Sequence, residues 1–112
     1  MSSSMTHRAV NVAQLSGRAL DYQMYLHGCK VLEQPNSLKE FETGYDQGRY
    51  HFSSDSSLLL GLLESYRFNL QFLAGEWLAS NTQASVYSPS PLEAVSRLVL
   101  LVNYGPQGVP QR

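Results

Sequence analysis

The segment at residues 90–105 constrains the fold most, because it predicts a helix whose apolar surface is too wide to leave in water. Ser90 and Glu93 have the spacing of a capping box, and Pro91 takes the first helical position, where its missing N–H is tolerated. Gly105, followed by a proline, marks the end of the helix. Leucine and valine recur between these signals with a helical period, so this helix must pack against another element.

The pattern before this helix alternates with a period of two, which predicts strands. Apolar and polar residues alternate over residues 68–72, as in a strand with one buried face. A turn at residues 74–75 leads to a returning strand at 77–79, and a third short strand follows at 85–87. Three antiparallel strands with one apolar face need a helical cover, which the last helix can provide.

Two further helices are predicted upstream of the strands, over residues 16–27 and 56–66. Each has a residue suited to an N-cap at its start and apolar residues at helical spacing. Gly28 stands where a left-handed residue commonly ends a helix, and Gly61 inside the second helix suggests a close approach to the sheet. Residues 31–49 contain proline, glycine and charges of both signs, so we expect mostly a surface connection there.

These elements define an α+β fold, a three-stranded antiparallel meander covered by helices in the order α-α-β-β-β-α. Polar residues at alternate positions of the first strand favour a solvent-facing sheet surface, hence two layers rather than an α/β/α sandwich. The 112 residues fit one domain, which we place at residues 15–105. We expect residues 1–14 to form a disordered leader and residues 106–112 to form a C-terminal tail.

Charge and hydropathy restrict the class of protein. Eight Lys and Arg against nine Asp and Glu leave a net charge of −1, which does not favour binding to phosphate backbones. No apolar run approaches the roughly 20 residues of a membrane span, and the first residues lack the apolar stretch of a secretory signal. Cys29 is the only cysteine, so no disulfide forms within the chain. These features together predict a protein of the cytoplasm.

No residue pattern predicts a catalytic, metal or cofactor site. His27 and Cys29 lie close in sequence, but zinc needs three or four ligands with workable spacing. His51, Ser53 and Asp55 are the residue types of a catalytic triad, yet their side chains diverge within one short segment. No glycine-rich phosphate loop opens a helix. We therefore predict a protein that is not an enzyme and that holds no metal or cofactor.

The aromatic residues point to protein contacts instead. Seven tyrosines and one tryptophan stand in a chain with only 15% charged residues, and such aromatic residues are enriched at protein interfaces. The alternative is that some of them complete the core. The candidate partner-binding residues lie on the first helix and in the segment before the second one: Tyr22, Tyr25, Tyr45, Arg49, Tyr50 and His51.

Four short motifs, in order along the chain, resemble those of a group of small phage proteins. They are Leu15-Ser-Gly-Arg-Ala-Leu-Asp21, Phe52-Ser-Ser-Asp55, Trp77-Leu-Ala79 and Pro91-Leu-Glu-Ala94, the last followed by Tyr104-Gly105. On these motifs the chain resembles the NinX-like phage proteins of unknown function and the related phage α/β/α-sandwich domain. Members of that family often carry a tryptophan and a Gly-Gly-Pro run around the second helix, where this chain has Ser56-Ser-Leu-Leu-Leu-Gly61. The resemblance implies a phage or prophage origin, a location in the cytoplasm of the bacterial host, and no particular activity.

Our functional hypothesis is a phage accessory protein that binds a host or phage protein through residues 45–52 and the exposed part of the first helix. A sharper form is an inhibitor of a bacterial defence system, of the anti-CRISPR kind. One alternative is a nucleic-acid-binding module with the topology of a double-stranded-RNA-binding domain, although Glu93 stands where such domains place basic residues. Another is a small enzyme with His51 or Asp55 in a pocket. Homodimerisation through a strand edge or the tyrosine-rich face remains open.

Overall fold

A three-stranded antiparallel sheet covered by helices forms the frame of the structure, a computed structural model that describes residues 11–110. The helices are α1 (Gly17–Val31), α2 (Leu38–Asp46), α3 (Leu59–Tyr66) and α4 (Pro91–Tyr104), and the strands are β1 (Asn69–Leu73), β2 (Glu76–Ser80) and β3 (Ser85–Ser88). Short 3₁₀ turns, Val12–Gln14 and Ser56–Leu58, precede α1 and α3. The α+β class and the order of the predicted elements are confirmed. None of the helices within residues 11–110 is long and apolar enough to cross a membrane.

The sheet is a meander in the order β1-β2-β3. In its first turn, Ala74 and Gly75 have φ values of 53° and 87°, both in the left-handed region. A two-residue hairpin turn needs these values to match the right-handed twist of the two strands. Its second turn is built on Asn81, whose side-chain oxygen accepts hydrogen bonds from the backbone N–H of Gln83 and Ala84 at 2.8 and 2.9 Å. Ala79 of β2 is paired with Val86 of β3, and both residues are buried on the inner face of the sheet.

Helix α4 lies at the centre of the fold, as its apolar surface predicts. Residues 94–100 are all buried, and the helix packs against β2, β3, α1 and α3. The predicted capping box is only half formed, because Ser90 Oγ accepts from Glu93 N at 3.4 Å but the carboxylate turns elsewhere. Glu93 instead accepts from Gly17 N at 3.1 Å, and so caps α1, where Ser16 makes no side-chain cap hydrogen bond.

Helix α1 is longer than the sequence pattern predicts. Gly28 lies inside the helix and does not end it, so that prediction was wrong. The chain turns instead at Glu33, which takes the left-handed conformation with φ 56°, and Gln34 N donates to Cys29 O at 2.8 Å. A Cβ at Gly28 would meet nothing within 4 Å, so the glycine is required neither for a turn nor for close packing.

The segment at residues 31–49 contains helix α2, where we expected mostly a surface connection. Ser37 caps the helix by accepting a hydrogen bond from Glu40 N at 3.2 Å. Phe41 is only 1% exposed and belongs to the core. The helix is nine residues long and buries only Phe41 and Gly44, so its apolar period is too short to predict a helix by itself.

The domain extends beyond the predicted boundaries at both ends. Val12, which we assigned to the leader, is fully buried, and its N–H donates to Pro106 O at 2.9 Å. Val109, which we assigned to the tail, is also buried, and its N–H donates to Oε1 of the buried Gln23 at 2.8 Å. The two chain ends therefore pack on each other and on α1, because each supplies apolar area and a backbone donor.

The remaining boundary predictions concern residues 1–10, 111 and 112, which lie outside the described residues.

Two predictions about packing at the sheet were wrong. Phe72, expected on the buried sheet face, is 58% exposed and contacts Trp77, because α4 packs on β2 and β3 and leaves the outer end of β1 uncovered. Gly61 is exposed and would accommodate a Cβ without contact, so it makes no close approach to the sheet.

Candidate functional site

A cluster of aromatic rings fills the space between α1, α2 and the segment at residues 50–52. Phe41 is at its centre, with ring centroids 5.0 to 5.9 Å from those of its four neighbours. We call this set the aromatic cluster, and its members are Tyr22, Tyr25, Phe41, Tyr45, Tyr50 and Phe52. It brings together side chains that are up to 30 positions apart in the chain (Tyr22 and Phe52).

All six predicted partner-binding residues belong to the aromatic cluster or lie directly on it. His51 stacks on the Tyr45 ring with centroids 3.9 Å apart, and the Arg49 guanidinium lies 5.6 Å from the centre of the Tyr50 ring. Tyr25 is buried and Tyr22 is half-buried, so most of their ring area packs inside the protein. Of the six, only Arg49 is exposed. A role of these residues in binding stays a prediction, and their packing makes them a support for the surface above them.

Asp21 ties this part of the structure to α1. Its carboxylate is almost fully buried, and it accepts hydrogen bonds from Ser53 N at 2.6 Å and from the Tyr45 hydroxyl at 3.2 Å. Burial raises the pKa of Tyr45, and the negative charge of Asp21 raises it further, while Arg18 above the ring acts in the opposite direction. Tyr45 is therefore held as a neutral hydrogen-bond donor to the carboxylate.

Gly44 allows the Tyr50 ring to lie directly on α2. A Cβ at this position would overlap the ring, and Arg49 N donates to Gly44 O at 2.8 Å, which closes the chain around the glycine. Tyr50 itself has φ 65°, an uncommon conformation for a tyrosine. The lack of a side chain at Gly44 thus permits the bend after α2. This bend turns residues 50–53 back towards Asp21.

The residues of the candidate triad do not form a relay. His51 Nε2 hydrogen bonds to Tyr45 O at 2.9 Å, and Ser53 is buried, with its backbone bound to Asp21. The Asp55 carboxylate accepts from the backbone N–H and the hydroxyl of Ser57 at 3.2 and 2.6 Å, as expected for an N-cap. Within residues 11–110, no group of three or more His, Cys, Asp and Glu side chains is arranged to hold a metal ion.

Three grooves in the described part of the chain meet at Phe52. The Leu32 groove, of about 530 Å³, lies between α1 and the α1–α2 connection, and its walls include Leu32, Pro35 and Tyr50. The Arg49 groove, of about 600 Å³, runs from Arg49 along residues 50–58. The His27 groove, of about 610 Å³, lies between α1 and α3. Phe52 is therefore the shared wall of one continuous grooved face.

Exposed apolar side chains lie at both ends of the α1–α2 connection, and Leu32 among them lines the Leu32 groove. Val31 and Leu32 at the end of α1 are 64% and 66% exposed, and Leu38 at the start of α2 is 53% exposed. The connection that carries them is held down by a hydrogen bond from Ser37 N to the Tyr25 hydroxyl at 3.2 Å. Burial raises the pKa of Tyr25, so this hydroxyl stays protonated.

A hydrogen-bonded group of three side chains, which we call the His27 triad, was not predicted from the sequence. His27 Nδ1 lies 2.6 Å from the Tyr104 hydroxyl, and His27 Nε2 lies 3.3 Å from the Tyr66 hydroxyl. Burial lowers the pKa of His27, and burial together with the nearby Tyr66 raises the pKa of Tyr104. Tyr66 and Tyr104 are 39 and 77 positions from His27, so no local motif predicts the group.

Comparison of the chain with protein-family models, curated proteins and solved structures gave no match. The resemblance to the phage families therefore remains a prediction from four motifs. What can be argued about function rests on the grooved face around Phe52.

Proposed function

We propose that this protein acts by binding another protein through the Leu32 groove and the exposed apolar residues beside it. The observation that carries the proposal is the exposure of Val31, Leu32 and Leu38, three apolar side chains that are each more than half exposed around the α1–α2 connection, with Leu32 lining the groove itself. Clustered exposed apolar groups at the rim of a groove are typical of interaction sites. The preferred surface thus includes the α1–α2 connection in addition to residues 45–52.

The aromatic cluster supports this proposal by making the surface rigid. Tyr25 and Tyr50 form the floor of the Leu32 groove, and both pack against the buried Phe41. A surface that is already ordered loses little conformational entropy when a partner binds. Arg49 extends the surface with a charge at its edge, where charges contribute to orientation more than to affinity.

The class of partner follows only from the resemblance of four motifs to the NinX-like phage proteins. On that resemblance the partner is a host or phage protein in the cytoplasm of a bacterium, and a component of a defence system is the sharper form of the proposal. A stoichiometric inhibitor needs a stable single-domain scaffold and one contact surface, and both requirements suit a chain of 112 residues.

Affinity capture of the tagged protein from phage-infected bacteria tests the proposal. Leu32→Gln should abolish retention of the partner, whereas Leu60→Gln should leave it intact. The two leucines are matched, because they are 66% and 65% exposed and Leu60 borders none of the three grooves. Retention should persist at high salt, since the contact is mainly apolar.

Two results would overturn the proposal. One is the failure of the wild-type protein to retain any host or phage protein at any salt concentration. The other is equal loss of the partner in Leu32→Gln and Leu60→Gln. A gel-shift series with duplex and single-stranded DNA and RNA is the companion measurement, and we expect no binding whose strength falls with salt.

A further inference from the structure

The His27 groove has the size and lining of a small-molecule site. Its volume of about 610 Å³ falls within the range of roughly 300–1,000 Å³ that is usual for ligand pockets. Met24, Phe52, Leu58 and Leu62 supply apolar walls, and the polar groups come mainly from His27 and Tyr66. Apolar walls with a few convergent polar groups are the usual features of such sites.

Either neutral tautomer of His27 can make the two contacts of the His27 triad, and the shorter contact favours one of them. The distance of 2.6 Å between the Tyr104 hydroxyl and His27 Nδ1 is typical of an O–H donor and too short for a usual N–H donor. We therefore assign Tyr104 as the donor to Nδ1, which is then the acceptor of a neutral imidazole. The proton of His27 is then on Nε2, and it is directed to the Tyr66 oxygen at 3.3 Å.

This arrangement leaves the Tyr66 proton free to meet a ligand. The Tyr66 oxygen accepts from His27 Nε2 and from Asn103 Nδ2, the latter at 3.5 Å. Both lone pairs of the oxygen are thus engaged, while no acceptor within residues 11–110 takes the hydroxyl proton. The ring is held in place by stacking on Phe68 with centroids 5.1 Å apart. Tyr66 consequently offers one oriented O–H donor at the wall of an apolar groove.

The charge of the lining restricts the ligand further. Among the described residues that line the His27 groove, none is Asp, Glu, Lys or Arg. Burial also lowers the pKa of His27, which keeps the imidazole neutral near pH 7. An ionic ligand would lose its hydration there without gaining an opposite charge, and that loss is costly. A neutral acceptor suits the site better.

We propose that the His27 groove binds a small neutral molecule with an apolar body and a carbonyl oxygen, which accepts a hydrogen bond from the Tyr66 hydroxyl. Tyr104 and His27 act as positioning residues, because they orient the Tyr66 hydroxyl through Nε2. The apolar body lies against Phe52 and Leu62. Among the described residues, the lining of this groove has Phe52 and Gly28 in common with that of the Leu32 groove and otherwise differs from it, so the inference does not depend on the proposed protein contact.

The test is a pair of probes with one apolar body and different head groups. Isocaproamide is neutral and has a carbonyl acceptor, whereas isocaproate is an anion of nearly the same shape. Backbone amide NMR shifts of the full chain are followed during titration with each probe. We expect isocaproamide to shift the signals of Gly28, Gly61 and Ser65, and isocaproate to bind at least about tenfold more weakly.

Tyr66→Phe isolates the hydrogen bond. The variant keeps the ring on Phe68 and should bind isocaproamide about 3- to 10-fold more weakly than the wild type. Tyr87→Phe is the matched control, because Tyr87 lies on β3 away from the groove and is 49% exposed. It should bind the amide like the wild type.

Three results would overturn the inference, and each is readable on its own. The first is isocaproamide shifts that map away from the groove or do not occur in the wild-type protein. The second is equal affinity for the amide and the carboxylate. The third is unchanged amide affinity in a folded Tyr66→Phe variant. None of these depends on whether a protein partner is captured through Leu32.

Discussion

Asp21 shows how a single buried side chain supports a surface that is formed by a distant part of the sequence. Its carboxylate lies on α1, and it receives hydrogen bonds from Ser53 N and the Tyr45 hydroxyl. Those two bonds fix residues 50–53, which carry the shared groove wall Phe52. Within residues 11–110, no Lys, Arg or His side chain hydrogen bonds to this carboxylate, and backbone and phenol donors supply its stabilisation.

Replacement of Asp21 should therefore destabilise the fold. Asp21→Ala removes both hydrogen bonds and leaves the buried Ser53 N–H without an acceptor, which should cost about 2–3 kcal/mol in the free energy of unfolding. Asp46→Ala is the control, because Asp46 is exposed at the end of α2, and it should change stability by no more than about 0.5 kcal/mol. Urea unfolding measures both variants. Equal losses in the two would contradict the role given to Asp21.

His27 gives the stability of the fold a defined dependence on pH. Burial lowers its pKa below the ordinary value of about 6.5, so the folded chain binds this proton less tightly than the unfolded chain. The contribution of uncharged His27 to the free energy of unfolding is therefore fully present above about pH 6.5, and it is lost as the pH falls through the lower pKa of the folded state. Urea unfolding between about pH 7.5 and pH 5 should show a steeper decline for the wild type than for His27→Gln. Parallel declines in the two proteins would refute this contribution.

The elements around the grooved face are joined by close contacts more than by long loops. Helix α2 approaches Tyr50 through Gly44, and Glu93 of α4 caps the start of α1 across 76 positions. The buried Arg97 adds another such link, because its Nε and Nη1 atoms donate to Leu15 O and Tyr87 O at 2.7 and 2.6 Å. Each of these contacts fixes one element against another, so the surface depends on relations between elements that are distant in sequence.

Alanine substitutions at Gly44 and Gly61 should change the stability of the fold in opposite directions. Gly44→Ala forces the Tyr50 ring away from α2 and should lower the free energy of unfolding by about 1–3 kcal/mol. Gly61→Ala adds a methyl group where nothing lies within 4 Å and removes a helix-breaking residue, so it should raise stability by about 0.5–1 kcal/mol. Thermal unfolding of both variants provides the measurement. A neutral Gly44→Ala would show that the Tyr50 contact is not required.

Local signals explain which parts of the fold were predictable. Helix α4 and the hairpin turn at residues 74–75 carry their own caps, stops and periods, so the sequence alone predicts them. Helix α2 was missed because its stability comes from burying Phe41 in contact with rings of α1 and residue 50. Tertiary packing of this kind leaves no periodic trace in nine residues.

The candidate site was predictable in part, for the same reason. The tyrosines of the sequence indicated residues 22–25 and 45–51 as a candidate site. In the structure, the tyrosines of these two segments belong to the aromatic cluster, and His51 stacks on it. The His27 triad escaped prediction because its members come from three helices, and only folding places their hydroxyl and imidazole groups together. The docking of residues 106–109 on Gln23 and Val12 escaped for the same reason.

At the scale of the whole molecule, the chain presents two different faces. One holds the three grooves around Phe52 and the exposed end of α1, and the other is the outer surface of the sheet, where Tyr87 is half-exposed. Within residues 11–110, no further strand pairs with β1 or β3, so the two edges of the sheet could pair with a second copy of the chain. The proposed function assigns partner binding to the Leu32 groove, whose described lining contains no residue of the sheet.

Hydrogen–deuterium exchange of the captured complex tests that assignment most directly. Binding through the grooved face should slow amide exchange in residues 28–35 and 49–54, relative to the free protein, and leave residues 69–88 unchanged. Slowed exchange over residues 69–88 without any change at residues 28–35 would contradict the account, because the partner would then lie on the sheet and not on the grooves.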